Sequence, residues 1–224
     1  MNAMTQNPTQ FPEKEFFIQG PVGKLQCLAG RPSAEFDRKT LGIICHPHPL
    51  FGGTMTNKVT HMIEKAFKEM GLHTIRFNFR GVGDSQGEFD NGIGETDDLI
   101  SIYHWAKEIF PDYDLWLAGF SFGSYTALRA CPTIKPQQFL TVAPPVERYD
   151  FTELTTPDCP WLVIQGEEDD VVTPKAVYDY VNSLDPRPQL VTFKAGHFFH
   201  RRLIDLRGAI INGISRQLTP DTDE

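Results

Sequence analysis

The chain has 224 residues, of which 40% are hydrophobic and 22% charged, enough apolar material for one well-buried globular domain. Its net charge of −8 at pH 7 leaves no basic surplus to neutralise phosphates, so we expect neither nucleic acid nor a membrane surface as a partner. No apolar run reaches the roughly 18 residues of a membrane span, and the first residues lack the features of a signal peptide. We therefore expect a cytoplasmic protein, and a monomer or a homodimer as its assembly.

The four cysteines agree with that compartment. Their spacing contains no C-x-x-C pattern, and each lies in an apolar context. Free buried thiols are therefore expected, as in a reducing cytoplasm. The cysteines are Cys27, Cys45, Cys131 and Cys159.

The first quarter of the chain contains a hairpin, a buried strand and an unusual loop. Residues 1 to 12 are polar and contain proline, which predicts a flexible lead-in, and we expect a single domain over residues 13 to 224. Two apolar runs around a Gly-Pro-Val-Gly turn predict a β-hairpin between residues 15 and 28. The continuous apolar run over residues 41 to 45 is typical of a strand buried on both faces. This run is followed by His-Pro-His-Pro-Leu-Phe-Gly-Gly, residues 46 to 53, which fits neither a strand nor a helix and is therefore predicted to be a loop.

From residue 59 onwards, segments with helical apolar spacing alternate with short continuous apolar runs. The first kind predicts helices and the second predicts buried strands. Three acids, Glu95, Asp97 and Asp98, predict the solvated start of one helix. The alternation predicts an α/β fold with a mainly parallel, doubly wound sheet of about eight strands. Predicted helices cover residues 59–70, 99–110, 125–130, 174–184 and 202–217, and predicted strands cover 74–79, 115–118, 138–142, 161–165 and 190–193.

A sharp turn between a strand and a helix carries the strongest chemical signal. The apolar run over residues 115 to 118 ends in Gly-Phe-Ser-Phe-Gly, and a helical segment follows. This G-x-S-x-G pattern needs small residues beside its apex, and Gly119 and Gly123 supply them. The turn would expose the hydroxyl of Ser121 at a helix N-terminus, where free N–H groups favour negative charge.

Two further loops at strand ends complete a possible catalytic group. Ligands of open parallel sheets bind at the carboxyl ends of the strands, where all of these loops are predicted. Ser121 would attack a carbonyl, His197 would take and return the proton, and Asp169 would hold the imidazole tautomer. Asp170 could replace Asp169 as the acid, and His200 could replace His197 as the base. We expect Asp170 to face solvent or cap a helix and His200 to begin the last helix.

These motifs resemble the α/β-hydrolase superfamily from about residue 15 onwards. The segment Gly-Glu-Glu-Asp-Asp-Val-Val at residues 166 to 172 is similar to the acid loop of that family, and Gly196-His197 is similar to its histidine loop. The loop at residues 46 to 53 resembles a small lidless group often labelled dienelactone-hydrolase-like. Dienelactone hydrolases proper carry a cysteine nucleophile where this chain has Ser121. The segment at residues 143 to 159, where the superfamily commonly inserts a lid, is too short and polar for a helical cap.

An oxyanion hole would need two backbone N–H groups. One is Phe122, directly after the nucleophile, and the other should come from the loop after residue 45. The two prolines of that loop have no N–H, which leaves His48, Leu50 or Phe51. Of these we favour Leu50.

The predicted site is an open cleft without a metal. Its walls would include the substrate-binding residues His48, Phe51 and Phe198, with Phe199 as a further candidate. His46 and His48 invite a metal interpretation, but no Asp, Glu or Cys lies nearby in sequence to complete a metal site, so we expect these histidines to shape the loop. We expect neither a metal nor a cofactor.

The sequence therefore predicts a serine hydrolase that cleaves a carboxylic ester or a related acyl bond of a small soluble substrate. Acyltransferase, thioesterase and peptidase activities could use the same three residues. A catalytically silent scaffold is the non-enzymatic alternative, although all three side chains are intact.

Overall fold

The computed structural model describes residues 11–12 and 14–219, which contain eight strands and five α-helices in the predicted alternation. The strands are β1 (Glu15–Gly20), β2 (Gly23–Gly30), β3 (Thr40–Cys45), β4 (His73–Phe77), β5 (Asp114–Phe120), β6 (Gln138–Val142), β7 (Trp161–Gly166) and β8 (Gln189–Phe193). The helices are α1 (Lys58–Glu69), α2 (Ile93–Ile109), α3 (Phe122–Ile134), α4 (Pro174–Ser183) and α5 (Leu203–Leu218).

All eight strands form one sheet in the order β1-β2-β4-β3-β5-β6-β7-β8. The predicted hairpin pairs β1 with β2 in antiparallel fashion, and β2 also runs antiparallel to β4. Strands β3 to β8 are parallel to one another, so their carboxyl ends meet along one edge. The predicted α/β class and the mainly parallel sheet are confirmed.

Helices cover both faces of this sheet. In β5, Leu115 and Leu117 point into the core beneath α2, α3 and α4, whereas Trp116, Ala118 and Phe120 point into the core beneath α1 and α5. Because successive side chains of a strand face opposite sides, a strand between two helical layers must be apolar at every position. This is why the central strands appear in the sequence as continuous apolar runs.

Two expectations about helix starts need correction. Helix α3 begins at Phe122, directly after the Ser121 turn, rather than at residue 125. The acids at the start of α2 are not all solvated. Asp98 is buried and pairs with Arg80 at 2.8 Å, and buried Glu95 accepts backbone N–H groups of the loop before the helix. Burial of these charges is tolerated because each carboxylate has donors.

The N-terminal boundary of the domain lies earlier in the chain than predicted. Residues 1–10 of the predicted lead-in lie outside the described residues. Phe11, assigned to the same lead-in, is buried against the rings of His73 and Phe110, so packing begins before residue 13. No helix in the described part of the chain is both long and apolar enough to cross a membrane. All four cysteines are free, as predicted, and three of them are buried, whereas Cys159 is half-buried.

The segment between β6 and β7 is an irregular run of turns without a helix or strand of its own. The predicted absence of a lid is therefore confirmed. The loops after β3, β5, β7 and β8 and this segment all lie at the carboxyl edge of the sheet.

Candidate active site

Ser121 occupies the apex of the turn between β5 and α3. Its backbone has φ 52° and ψ −121°, a left-handed conformation that a non-glycine residue adopts only at a cost of about 1–3 kcal/mol. A Cβ atom at Gly119 would collide with the backbone of Gly123, and one at Gly123 would collide with the carbonyl of Cys45. Both glycines are therefore required by close backbone approach, as the sequence predicted.

The three predicted catalytic side chains are connected by hydrogen bonds. Nε2 of His197 lies 3.1 Å from Oγ of Ser121, and Nδ1 of His197 lies 2.9 Å from Oδ2 of Asp169. All three residues are buried. Because a carboxylate accepts from Nδ1–H, the neutral imidazole presents an unprotonated Nε2 to the Ser121 hydroxyl. This arrangement can remove a proton from Ser121 Oγ as the oxygen attacks.

The loop after β7 holds the Asp169 carboxylate. The N–H groups of Val171 and Val172 donate to Oδ1 at 2.9 and 2.8 Å. The side-chain amide of Gln165 donates to Oδ2 at 3.0 Å. Burial by itself would raise the pKa of Asp169, but the hydrogen bond from His197 and those from the two backbone N–H groups hold the pKa below its usual value. The carboxylate is therefore ionised at neutral pH.

Neither alternative residue joins this group. Asp170 is exposed and makes no hydrogen bond to His197 within the described residues. His200 is also exposed, in the turn before α5 rather than in the helix. Only Asp169 and His197 have the geometry that the serine requires.

Two residues that line the same cleft as Ser121 have backbone N–H groups without acceptors among the described residues. Phe122 is the first residue of α3, so its N–H has no acceptor within the helix. In the loop after β3, the N–H groups of Phe51 and Gly53 donate to the carbonyl of His48, at 3.1 and 3.0 Å. The N–H of His48 itself has no acceptor in the part of the chain that the structure describes.

The structure disfavours Leu50, the residue selected from sequence as the second oxyanion donor. Its N–H donates to Nδ1 of His48 at 3.2 Å, and its side chain is 67% exposed and outside the cleft. The short 3₁₀ turn Pro49–Phe51 directs the Leu50 N–H back onto the His48 ring. A 3₁₀ turn of this kind could not be read from the residue types alone.

His46 shapes this loop from beneath, as predicted. The ring is fully buried, its Nε2 accepts the N–H of Phe79 at 3.1 Å, and its Nδ1 donates to the carbonyl of Pro47 at 2.6 Å. Burial lowers the pKa of His46 to about 4, so the ring is neutral at physiological pH. The bond to Pro47 fixes the peptide unit that contains the N–H of His48.

A cleft of about 400 Å³ opens over Ser121 and His197. The predicted substrate-binding residues His48, Phe51 and Phe198 all line it. Phe199 does not, because its ring is buried against Phe193 in the core beneath α5. A wider depression of about 710 Å³ lies at the opposite edge of the sheet, near Trp161 and Gln189, and contains none of the reactive side chains.

Sequence reasoning missed three residues at the site. Arg148 and Tyr149 reach the cleft from the segment after β6, and Gln165 contacts Asp169 from β7. Residues 148 and 149 follow the carboxyl end of a parallel strand, and this position could have indicated that they lie at the site. Gln165 offered only the presence of an amide within an otherwise apolar strand.

Comparison with known proteins extends over nearly the whole chain. No family model matches it. An uncharacterised protein of Rickettsia prowazekii (strain Madrid E) is 34% identical over 210 residues, which cover 88% of this chain and 86% of the relative. A lidless α/β serine hydrolase of Xanthomonas campestris is 44% identical with a TM-score of 0.89, covering 95% of this chain and 99% of the other. A serine hydrolase homologue of Coxiella burnetii is 46% identical with a TM-score of 0.87, covering 91% and 98%.

Proposed function

This chain belongs to the α/β-hydrolase superfamily, and from that premise we propose that it is a serine hydrolase acting on carboxylic esters. The observation that carries the proposal is the continuous hydrogen-bonded path from Ser121 through His197 to Asp169. The unpartnered backbone N–H groups of Phe122 and His48, two residues that line the same cleft as Ser121, would bind the oxyanion.

Acylation would begin with attack of Ser121 Oγ on the carbonyl carbon of the ester. The proton of the hydroxyl passes to Nε2 of His197, and the imidazolium is stabilised by the Asp169 carboxylate. The negative charge that forms on the carbonyl oxygen is bound by the N–H groups of Phe122 and His48. The bond to the alcohol oxygen then breaks, and His197 returns its proton to that oxygen.

Deacylation repeats these steps with water. His197 takes a proton from a water molecule as the water oxygen attacks the acyl carbon. The bond to Ser121 Oγ breaks, Oγ recovers the proton, and the carboxylic acid leaves. Because the cleft is open, water reaches the acyl group, which favours hydrolysis over transfer to a second alcohol or amine.

The open cleft also favours small soluble acyl groups. Its volume accommodates a short acyl chain, and no lid covers it. We place the protein in the cytoplasm because its four cysteines are free.

The test combines active-site labelling with matched variants. A fluorophosphonate probe should label the wild-type protein and fail to label Ser121→Ala. Hydrolysis of p-nitrophenyl acetate should fall by about 10³-fold or more in the same variant. Ser124→Ala is the control, because Ser124 is a buried neighbour on α3 whose Oγ donates to the carbonyl of Gly119. Equal labelling of wild type and Ser121→Ala would remove Ser121 as the nucleophile.

The identity of the acid can be tested in the same assay. Asp169→Asn should reduce kcat by about 10³-fold or more, because an amide favours the wrong imidazole tautomer. Asp170→Asn, with its exposed side chain, should retain most activity. The reverse order would assign the acid to Asp170.

A further inference from the structure

The cleft differs in charge from the protein as a whole. The chain carries a net charge of −8, yet no described Asp or Glu lines the cleft. Asp169 is buried on the far side of the His197 ring and does not reach the cleft surface. The cationic residue of the lining is Arg148.

Arg148 holds its charge at the cleft without a carboxylate partner. Its exposed guanidinium donates to the carbonyl of Val171 at 3.3 Å, and none of the ion pairs among the described residues includes Arg148. The carboxylate of the neighbouring Glu147 accepts the N–H of Thr173 at 3.2 Å and forms no ion pair with Arg148 among the described residues. Four guanidinium N–H groups of Arg148 are thus left for another acceptor.

The imidazole of His48 supplies a second donor in the same cleft. Its Nδ1 accepts the N–H of Leu50, so the neutral ring carries its proton on Nε2. The rings of Phe51, Phe89 and Phe122 lie 4.7 to 5.0 Å from the His48 ring and fix its orientation. Burial, and then the nearby charge of Arg148, lower the pKa of His48, which keeps the ring neutral at pH 7.

We propose that Arg148 and the Nε2–H of His48 form an anion subsite that binds a carboxylate of the substrate. The inference rests on the proposed ester hydrolysis and narrows its substrate class to esters that carry one free carboxylate. A guanidinium matches a carboxylate in shape and charge, and an imidazole N–H adds a third hydrogen bond. The carboxylate can belong to the acyl part or to the alcohol part of the ester.

Two pairs of esters test the proposal, each differing in one charge. Ethyl hydrogen succinate is compared with ethyl levulinate, in which a methyl group replaces the carboxylate oxygen of the acyl part. 4-Acetoxybenzoate is compared with 4-acetoxyacetophenone, which makes the same change in the alcohol part. The measured quantity is the ratio of kcat/KM for the anionic ester to that for its neutral partner, so a general loss of activity cancels.

The wild-type ratio should fall by about tenfold in Arg148→Gln for at least one pair, because charge-assisted hydrogen bonds are lost. Arg148→Lys should give an intermediate ratio. Arg187→Gln removes the same charge from an exposed residue at the opposite edge of the sheet and should leave both ratios unchanged. The pair that responds identifies the part of the ester that carries the carboxylate.

Ratios that stay within twofold of wild type in Arg148→Gln, for both pairs, would overturn the subsite. Failure of the proposed function gives a different result, in which none of the four esters is hydrolysed and Ser121 is not labelled. In that case 4-hydroxybenzoate is titrated against the protein and followed by NMR. Shifts at the cleft that disappear in Arg148→Gln would support the subsite, and an absence of binding by wild type would reject it.

Discussion

The side-chain amide of Gln165 donates to Oδ2 of Asp169 at 3.0 Å, and that oxygen also accepts from Nδ1 of His197 at 2.9 Å. Gln165 is fully buried, and its Nε2 also contacts the carbonyl of Gly166 at 3.2 Å. One carboxylate oxygen therefore divides its negative charge between two donors. The strength with which Asp169 attracts a protonated His197 depends on the residue at position 165.

Gln165→Met should change the pH dependence of hydrolysis as well as its rate. Loss of the amide donor makes Asp169 a stronger partner for the imidazolium, so a higher pH is needed to free the base. We expect the acid limb of the kcat/KM profile to move up by about half a pH unit and kcat to fall by about 3- to 30-fold.

Gln138→Met is the matched control for this variant. Gln138 is also a buried glutamine of the sheet, with its amide bonded to the carbonyl of Pro160 and to Gln217, away from the cleft. Its replacement should leave the profile unchanged. If the acid limb of the kcat/KM profile does not move in Gln165→Met, Gln165 does not influence the charge of Asp169 and contributes only to packing.

His48→Pro tests the backbone N–H of His48 at a position whose φ suits proline. His48 has φ −54°, within the range that proline adopts. His48→Pro deletes both the side chain and the N–H, whereas His48→Ala deletes the side chain only. The ratio of their kcat values for p-nitrophenyl acetate therefore isolates the N–H, and we expect His48→Ala to be faster by about 10²- to 10³-fold. Similar kcat values for the two variants would show that another N–H of the loop binds the oxyanion.

Burial of His46 predicts that the protein loses stability in mild acid. Its pKa is about 4 in the folded protein and near 6.5 in the unfolded chain. Between these values the unfolded chain binds more protons, so this contribution to the free energy of unfolding is complete above pH 6.5 and is lost as the pH falls towards 4. A difference of about 2.5 units corresponds to roughly 3 kcal/mol.

Denaturant unfolding at pH 7 and pH 5 measures about 2 kcal/mol of this contribution, because the rest is lost only between pH 5 and pH 4. His48 and His61, whose pKa values burial also lowers, act in the same direction, so the test compares variants. His46→Asn should show a smaller loss between the two pH values than wild type. His104→Asn, at an exposed position of α2, should behave as wild type. Equal losses in all three proteins would contradict the assignment.

Most of the fold and the reactive side chains could be predicted from sequence because each depends on a local pattern. Continuous apolar runs indicated strands with helices on both faces, and glycines beside Ser121 indicated a sharp turn. The second oxyanion donor could not be predicted, since the choice depends on how the Pro49–Phe51 turn directs the N–H of Leu50. The role of Arg148 depends on a contact with Val171, 23 residues further along the chain, which no local pattern encodes. Gln165 lies only four residues before Asp169, but its role depends on how the loop after β7 folds the Asp169 carboxylate back onto the amide.

The open cleft limits how much of an acyl chain can be removed from water. Two of the rings that line it, Phe51 and Phe198, are 78% and 56% exposed, so these walls can cover only the first few methylenes. Each buried methylene contributes about 0.8 kcal/mol, and further methylenes stay in solvent and contribute nothing. Across p-nitrophenyl acetate, butyrate, octanoate and palmitate, kcat/KM should therefore rise by several-fold at most to butyrate and then level off or fall, without a jump above the critical micelle concentration.

Phe51→Ala tests whether the rise in kcat/KM from acetate to butyrate comes from contacts in the cleft. The variant should lose part of the increase from acetate to butyrate, because one of the rings that can cover the butyryl methylenes is removed. Phe17→Ala removes an exposed phenylalanine from the edge strand β1 and should keep the increase. A rise that continues through palmitate in wild type would require a deep apolar channel or a mobile cover.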